Sequence, residues 1–169
     1  MNALEKVRYL RDKYDLLPEF GVRSQLYFPS NKWQPDEIES LKKNFSWLPS
    51  YYLDFIEEFD SIGIGWFTFY GSKKTKTISI IDEVEYWREN SKNEYFPFGK
   101  DPAGCTYAFD KKQKIIFFDV EDYGWEKPKF IIDNLEDFID KCLLGPRYAE
   151  VENIENNLFY KFLQSQGWA

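Results

Sequence analysis

LPSYYLDFIEEFDSIGIGWF, residues 48–67, holds a helix start, a helix stop and a strand start in one run. Ser50 is a good N-cap, because its hydroxyl can accept one of the backbone N–H groups that a first helical turn leaves open. Pro49 biases Leu48 toward extended backbone, so the helix begins no earlier. Tyr52, Phe55, Ile56 and Phe59 recur at helical spacing and make one apolar stripe. Gly63 and Gly65 then allow a sharp turn or bulge into a strand at Trp66-Phe67. A short aromatic helix feeding an aromatic strand predicts mixed architecture.

The flanks extend that reading. Upstream, residues 3–15 predict an amphipathic helix with Leu4, Val7, Leu10 and Tyr14 on one side. The proline-containing stretch 16–35 reads as an extended connector, and a second helix is expected from Pro35-Asp36 to Lys43 or Asn44. Downstream, WFTFYG (66–71), KTISII (76–81), CTYAFD (105–110) and KIIFFD (114–119) predict strands, with turns at GSKKTK (71–76) and DKKQK (110–114). The long polar segment 82–104 holds a helical turn at DEVEYWREN. Leu135, Phe138, Ile139, Cys142 and Leu143 lie on one helical face, capped by Asp133 or Asn134 and stopped by Gly145-Pro146. A last helix is expected over about 148–164, with Val151, Ile154, Leu158, Phe162 and Leu163 inward. Helices, then strands, then helices predict an α+β fold: a single antiparallel β-sheet flanked by N-terminal and C-terminal helices.

Composition narrows the chemistry. A chain of 169 residues suggests one domain and buries roughly 70% of its unfolded surface without a disulfide or metal. The aromatic share, 20%, provides a bulky core and leaves rings for a contact surface. No apolar run is long enough to cross a membrane and no export signal is legible, so no membrane partner is expected. Two distant cysteines, Cys105 and Cys142, fit a reducing cytoplasm, and both read as structural. There is no histidine, which excludes Ser-His-Asp and Cys-His catalysis and every histidine-ligated metal site. No cofactor and no metal are expected.

The formal charge is −7, which argues against direct nucleic-acid binding. It is concentrated in residues 119–140, where eight acids face two lysines. Such a surface either attracts a cationic partner or merely keeps the chain soluble. Within it, FFDVEDYGWEKP (117–128) interleaves Asp119, Glu121, Asp122 and Glu126 with Tyr123 and Trp125. Rings surrounded by charge match an interface hot spot, the other reading being core rings beside an ordinary loop. The doublets Glu57-Glu58, Asp82-Glu83 and Glu121-Asp122 are the acid pairs a histidine-free enzyme could use. A glycosidase needs its carboxyls about 5–9.5 Å apart across a cleft, which sequence neighbours do not provide by themselves. No catalytic residue is assigned.

Three stretches together carry a resemblance. LPSYYLDFIEEFD followed by SIGIGWF, YFPFGKDPAGCTYAFDKKQKIIFFD (95–119) and FIIDNLEDFIDKCL (130–143) resemble, in order, segments of the SMI1/KNR4 domain, the SUKH superfamily. Leu48, Pro49, Tyr52, Gly63 or Gly65, Asp101, Gly104 and Phe138 match positions that look fold-defining. The resemblance implies residues 36–144 as the SMI1/KNR4-like domain, 1–35 as an N-terminal helix and connector, and 145–169 as a C-terminal helix packed on the same domain. It further implies a cytoplasmic, non-enzymatic immunity protein that binds and neutralises the toxin domain of a polymorphic or contact-dependent toxin. A basic nuclease is the class of toxin that suits an acidic inhibitor. Asp119, Glu121, Asp122, Tyr123, Trp125 and Glu126 are the expected partner-binding residues, and a homo-oligomer is compatible with the sequence. A regulatory scaffold of the same superfamily and a carbohydrate-binding or carbohydrate-active protein are the alternatives.

Overall fold

Among the described residues seven strands lie in chain order across one sheet, every neighbouring pair antiparallel: β1 (Leu26–Tyr27), β2 (Gly63–Ile64), β3 (Phe67–Phe69), β4 (Tyr95–Lys100), β5 (Thr106–Asp110), β6 (Ile115–Phe118) and β7 (Lys129–Ile132). The helices are α1 (Ala3–Asp12), α2 (Pro35–Asn44), α3 (Ser50–Glu58), α4 (Ile80–Glu89), α5 (Leu135–Asp137) and α6 (Leu158–Ser165). This computed structural model describes residues 1–72, 78–89, 94–119, 128–152 and 155–169. The α+β class and the single antiparallel sheet expected from the sequence are what the chain forms.

The opening stretch forms the expected helix, turn and strand, but Ser50 is not the cap, Gly63 lies in β2 and Trp66 lies in the turn. Pro49 occupies the N-cap in extended conformation, and its carbonyl accepts the N–H groups of Tyr52 and Leu53 at 3.1 and 3.2 Å. Ser50 is therefore the first helical residue, and its side chain caps nothing. Tyr52, Phe55 and Ile56 are buried as the spacing requires. Gly65-Trp66 is a two-residue turn between the paired residues Ile64 and Phe67. Gly65 takes φ +59°, the left-handed value that a glycine-first hairpin turn needs.

One face of the sheet carries the main core. Phe67, Phe69, Phe96, Phe98, Tyr107 and Phe109 pack against Tyr52 and Phe55 of α3 and Phe138 beyond α5. After its first turn α5 widens into a π-helical segment, Phe138–Leu143, closed by a bond from Leu144 N–H to the Ile139 carbonyl at 2.9 Å. Asn134 caps it by accepting the Asp137 N–H at 2.8 Å, and Gly145-Pro146 ends it. Cys142 faces the core, and burial raises its thiol to about 11. Helix α1 is tied on by charge: Arg8 and Arg11 reach Glu58 at 2.6 and 3.0 Å, and Lys6 reaches Asp140 at 2.8 Å. The opposite face of the sheet is covered by α4, whose Trp87 packs on Ala108, Ile116 and Phe118.

Tyr52 is fully buried, and among the described residues its hydroxyl has no hydrogen-bond partner. Burial raises that hydroxyl well above its ordinary pKa. The ring holds its position by edge contacts to Phe96 and Phe109 at 5.8 and 5.1 Å. Tyr52→Phe keeps those contacts and removes a desolvated polar atom. Urea denaturation should therefore show stability unchanged or raised by about 1 kcal/mol. A loss of that size would mean that the hydroxyl is bonded after all.

Other expectations are corrected. Ile80 and Ile81 open helix α4 and do not continue a strand from 76, although residues 76–77 lie outside the described set. Ser79 contributes a lone parallel bridge to Gly71. Ile80, Val84 and Trp87 are all buried at i, i+4 and i+7, so burial of one helical face outweighs the β-preference of the isoleucines. The 71–76 turn falls largely on residues that are not described. The connector 16–35 contains β1, a strand of two residues and too short to show alternation. The last helix is split into a 3-10 turn (Pro146–Glu150) and α6, because Asn157 starts a new helix by accepting the Tyr160 N–H at 2.9 Å. That break leaves Val151 and Leu158 exposed, while Phe159 and Leu163 point inward. Ile154 lies outside the described residues.

Candidate partner-binding surface

Of the six residues expected to bind a partner, the structure describes Asp119. Glu121, Asp122, Tyr123, Trp125 and Glu126 lie outside the described residues. Asp119 follows the last residue of β6 and is partly buried. Its carboxylate lies 3.6 Å from the Lys129 ammonium and accepts from the Cys105 thiol at 3.8 Å. Asp119 thus joins the ends of three segments, β6, β7 and the turn before β5. That turn is organised by Asp101, whose side chain accepts the Cys105 N–H at 2.9 Å. Gly104 completes it with φ +89°, which accounts for the Asp-x-x-Gly spacing.

The acidity of 119–140 is largely compensated in space. Asp133 pairs with Lys114 at 3.1 Å, Asp137 with Lys141 at 2.8 Å and Asp140 with Lys6 at 2.8 Å. With Asp119 on Lys129, four of the five described acids in this stretch have a cationic neighbour, and Glu136 is the exception. These half-exposed pairs add little stability, but they lower the field that the stretch projects.

Helix α4 shows the contrary arrangement. Asp82, Glu85, Tyr86 and Glu89 stand at i, i+3, i+4 and i+7 and are all exposed, Tyr86 by 51%. Asp82, Glu85 and Glu89 have no cationic partner among the described residues. The helix is fixed beneath this ridge by Trp87, whose ring meets Phe118 edge-on at 5.0 Å, one residue before Asp119. Asp119, the next residue, turns instead toward Cys105 and Lys129, away from the α4 face. Sequence reasoning placed a helical turn at DEVEYWREN but did not single out its exposed acids. The signal was present in IIDEVEYWRE, where buried and charged residues each repeat with helical period.

Of the acid pairs, one member each of Glu57-Glu58 and Asp82-Glu83 has a structural partner. Hydrogen bonds from Arg8 and then Arg11 hold the Glu58 carboxyl below its usual range, against the upward pull of burial. Burial raises the Glu83 carboxyl, opposed by the Trp87 indole, which donates to it at 3.0 Å, and by the charge of Lys100. Glu58 lines a cleft of about 250 Å³ that Glu57 and Asp60 also border. Buried Asp60 accepts the backbone N–H and the hydroxyl of Ser72 at 2.7 and 2.9 Å. Among the described residues no group of His, Cys, Asp and Glu is placed to hold a metal ion, and no helix is long and apolar enough to cross a membrane.

Beside the ridge is a cleft of about 450 Å³, lined by Phe45, Trp47, Val84, Trp87, Arg88 and Tyr95. Its position follows from strand length. β3 pairs with β4 at Lys100 and Gly99, and Tyr70 N–H adds a bond to the Phe98 carbonyl. The Tyr95–Pro97 end of β4 has no strand on that side among the described residues, and α4 and the end of α2 flank it instead.

No protein-family model matches the chain, and no curated protein matches it either.

Proposed function

We propose that this chain is a cytoplasmic immunity protein of the SMI1/KNR4 type, which neutralises a toxin domain by covering its active site and makes or breaks no bond itself. The observation that carries the reading is the acidic ridge of α4, without a cationic partner among the described residues, set around Tyr86 and beside an aromatic cleft. Aromatic residues ringed by charge are the composition of a protein-binding surface, and an uncompensated acidic face speeds encounter with a basic partner. A nuclease, whose cleft is built to hold phosphates, is the toxin class that such a surface suits. The element order also agrees with the resemblance: an aromatic helix, a glycine turn, the central hairpin, a short strand and a closing amphipathic helix. Of the acids that could have been catalytic, Glu58 is held by two arginines and Glu83 by the Trp87 indole, which favours binding over turnover.

Co-expression with the toxin domain encoded beside its gene should rescue cells from that toxin, and the two purified proteins should form a stoichiometric complex. Charge reversal at Glu121 and Asp122, or at Asp82, Glu85 and Glu89, should slow association about tenfold or more at low salt and flatten its salt dependence. Stopped-flow association rates at several ionic strengths provide the measurement. Rates that match wild type in both variants would move the interface elsewhere. Absence of rescue by the wild-type chain, or substrate turnover by the chain alone, would end the immunity reading.

A further inference from the structure

Of the five arginines in the chain, four spend their guanidinium on a carboxylate. Arg8 and Arg11 bind Glu58, Arg23 lies 3.4 Å from Glu19, and Arg147 lies 2.9 Å from Glu150. Arg88 is the fifth. In a chain with 29 acids it has no acidic partner among the described residues, even though Glu85 and Glu89 share its helix. Its guanidinium lies 5.2 Å over the Phe45 ring, at the mouth of the 450 Å³ cleft. Stacking satisfies the face of a guanidinium and leaves its in-plane N–H donors available, which is the geometry that grips a carboxylate in bidentate fashion.

Besides Arg88, the cleft has one polar side chain, Asn44, and five apolar or aromatic ones. Phe45, Val84 and Trp87 are buried and form its floor, with Trp47 and Tyr95 partly exposed as walls. The volume lies within the range of sites that enclose a ligand-sized group. Trp, Tyr and Arg in one concavity are the residue types that dominate binding energy at interfaces. Outside the cleft, the ridge of Asp82, Glu85 and Glu89 repels an anionic surface. The occupant must therefore offer a negative charge at one point and positive charge around it.

We infer that this cleft is the anchor pocket for the partner protein, taking an apolar or aromatic side chain together with an adjacent carboxylate held by Arg88. The partner segment is one acid beside an apolar residue within otherwise basic sequence. This inference rests on the binding-protein reading above and says where the partner is anchored.

The probe is 3-phenylpropanoate, an apolar ring bearing a carboxylate, titrated into the full-length ¹⁵N-labelled protein while indole N–H resonances are followed by NMR. The Trp47 and Trp87 signals, assigned with Trp47→Phe and by elimination, should shift saturably with a dissociation constant on the order of 1–10 mM. 3-Phenylpropanol and 3-phenylpropylamine should bind at least about tenfold more weakly. Arg88→Gln, an exposed substitution that leaves the fold intact, should lose the preference for the acid. Equal binding of acid and alcohol, or an unchanged Arg88→Gln titration, overturns the carboxylate site, and the absence of any shift overturns the pocket. Arg88→Glu then separates the two levels. If wild type rescues cells and this variant rescues with unchanged affinity for the toxin domain, the anchor is wrong and the immunity function stands. If the probe binds as expected but wild type never rescues, the pocket stands and the toxin reading falls.

Discussion

Replacing Phe138 with alanine is expected to remove about 3–5 kcal/mol of stability. The side chain is fully buried where the π-helical segment meets the sheet. Its ring lies 5.1 Å from Phe67, 5.5 Å from Tyr107, 6.0 Å from Phe98 and 6.2 Å from Trp66. Alanine loses the transfer energy of the ring and leaves a cavity among four aromatic groups. Those groups sit on three strands and a turn and cannot all move inward. Domains of this kind have roughly 5–15 kcal/mol in total, so the variant should be marginal at 37 °C. Guanidinium denaturation should show a large fall in midpoint with little change in slope, and Phe138→Leu should recover much of the difference. A loss under about 1 kcal/mol would mean that this helix does not close the core.

Gly65→Ala is expected to cost about 2–5 kcal/mol, from two sources that can be separated. An alanine at φ +59° meets the left-handed penalty of about 1–2 kcal/mol. Its methyl group would also lie 2.7 Å from Cε2 of Tyr148, a ring that is itself buried against Phe159. Gly104 is the internal control, because it has φ +89° and none of the described residues lies within 4 Å of the missing methyl. Gly104→Ala should therefore show the backbone penalty alone, about 1–2 kcal/mol. The same denaturation assay tests both. Equal losses in the two variants would show that Tyr148 yields easily, and that the β2–β3 turn is not pinned by the C-terminal segment.

Much of the fold is legible because it is written in local punctuation. Pro35 at the first turn of α2, the glycine turn at 65, Asp110 accepting the Lys112 and Lys114 N–H groups in the β5–β6 hairpin, and Asn134 before α5 each act within four residues. The misreadings occur where two local preferences compete. Ile78, Ile80 and Ile81 favour a strand until Val84 and Trp87 reveal a helical face that has a sheet to cover. Ser50 has the chemistry of a cap, yet an extended Pro49 carbonyl already begins the helix one residue earlier. Two-residue strands such as β1 leave no periodic trace at all, and their existence depends on an edge provided by β2.

The candidate surface was less legible than the fold. The sequence concentrates acid in 119–140, but Lys6, Lys114, Lys129 and Lys141 neutralise four of its carboxylates. Arg88 looks like an ordinary helix residue until its four counterparts are all found on carboxylates and, among the described residues, it is not.

By itself, then, the sequence determined the α+β class, the turn positions, the amphipathic faces and the absence of histidine chemistry. These follow from backbone angles, capping and side-chain inventory, which act over a few residues. Only the tertiary structure decided which charges remain uncompensated and where a cleft opens. Ion pairing operates within about 4 Å, between groups that in the case of Lys6 and Asp140 come from opposite ends of the chain. A cleft arises where a strand stops short of its neighbour, and neither distance nor strand length in the folded sheet can be read from order along the chain.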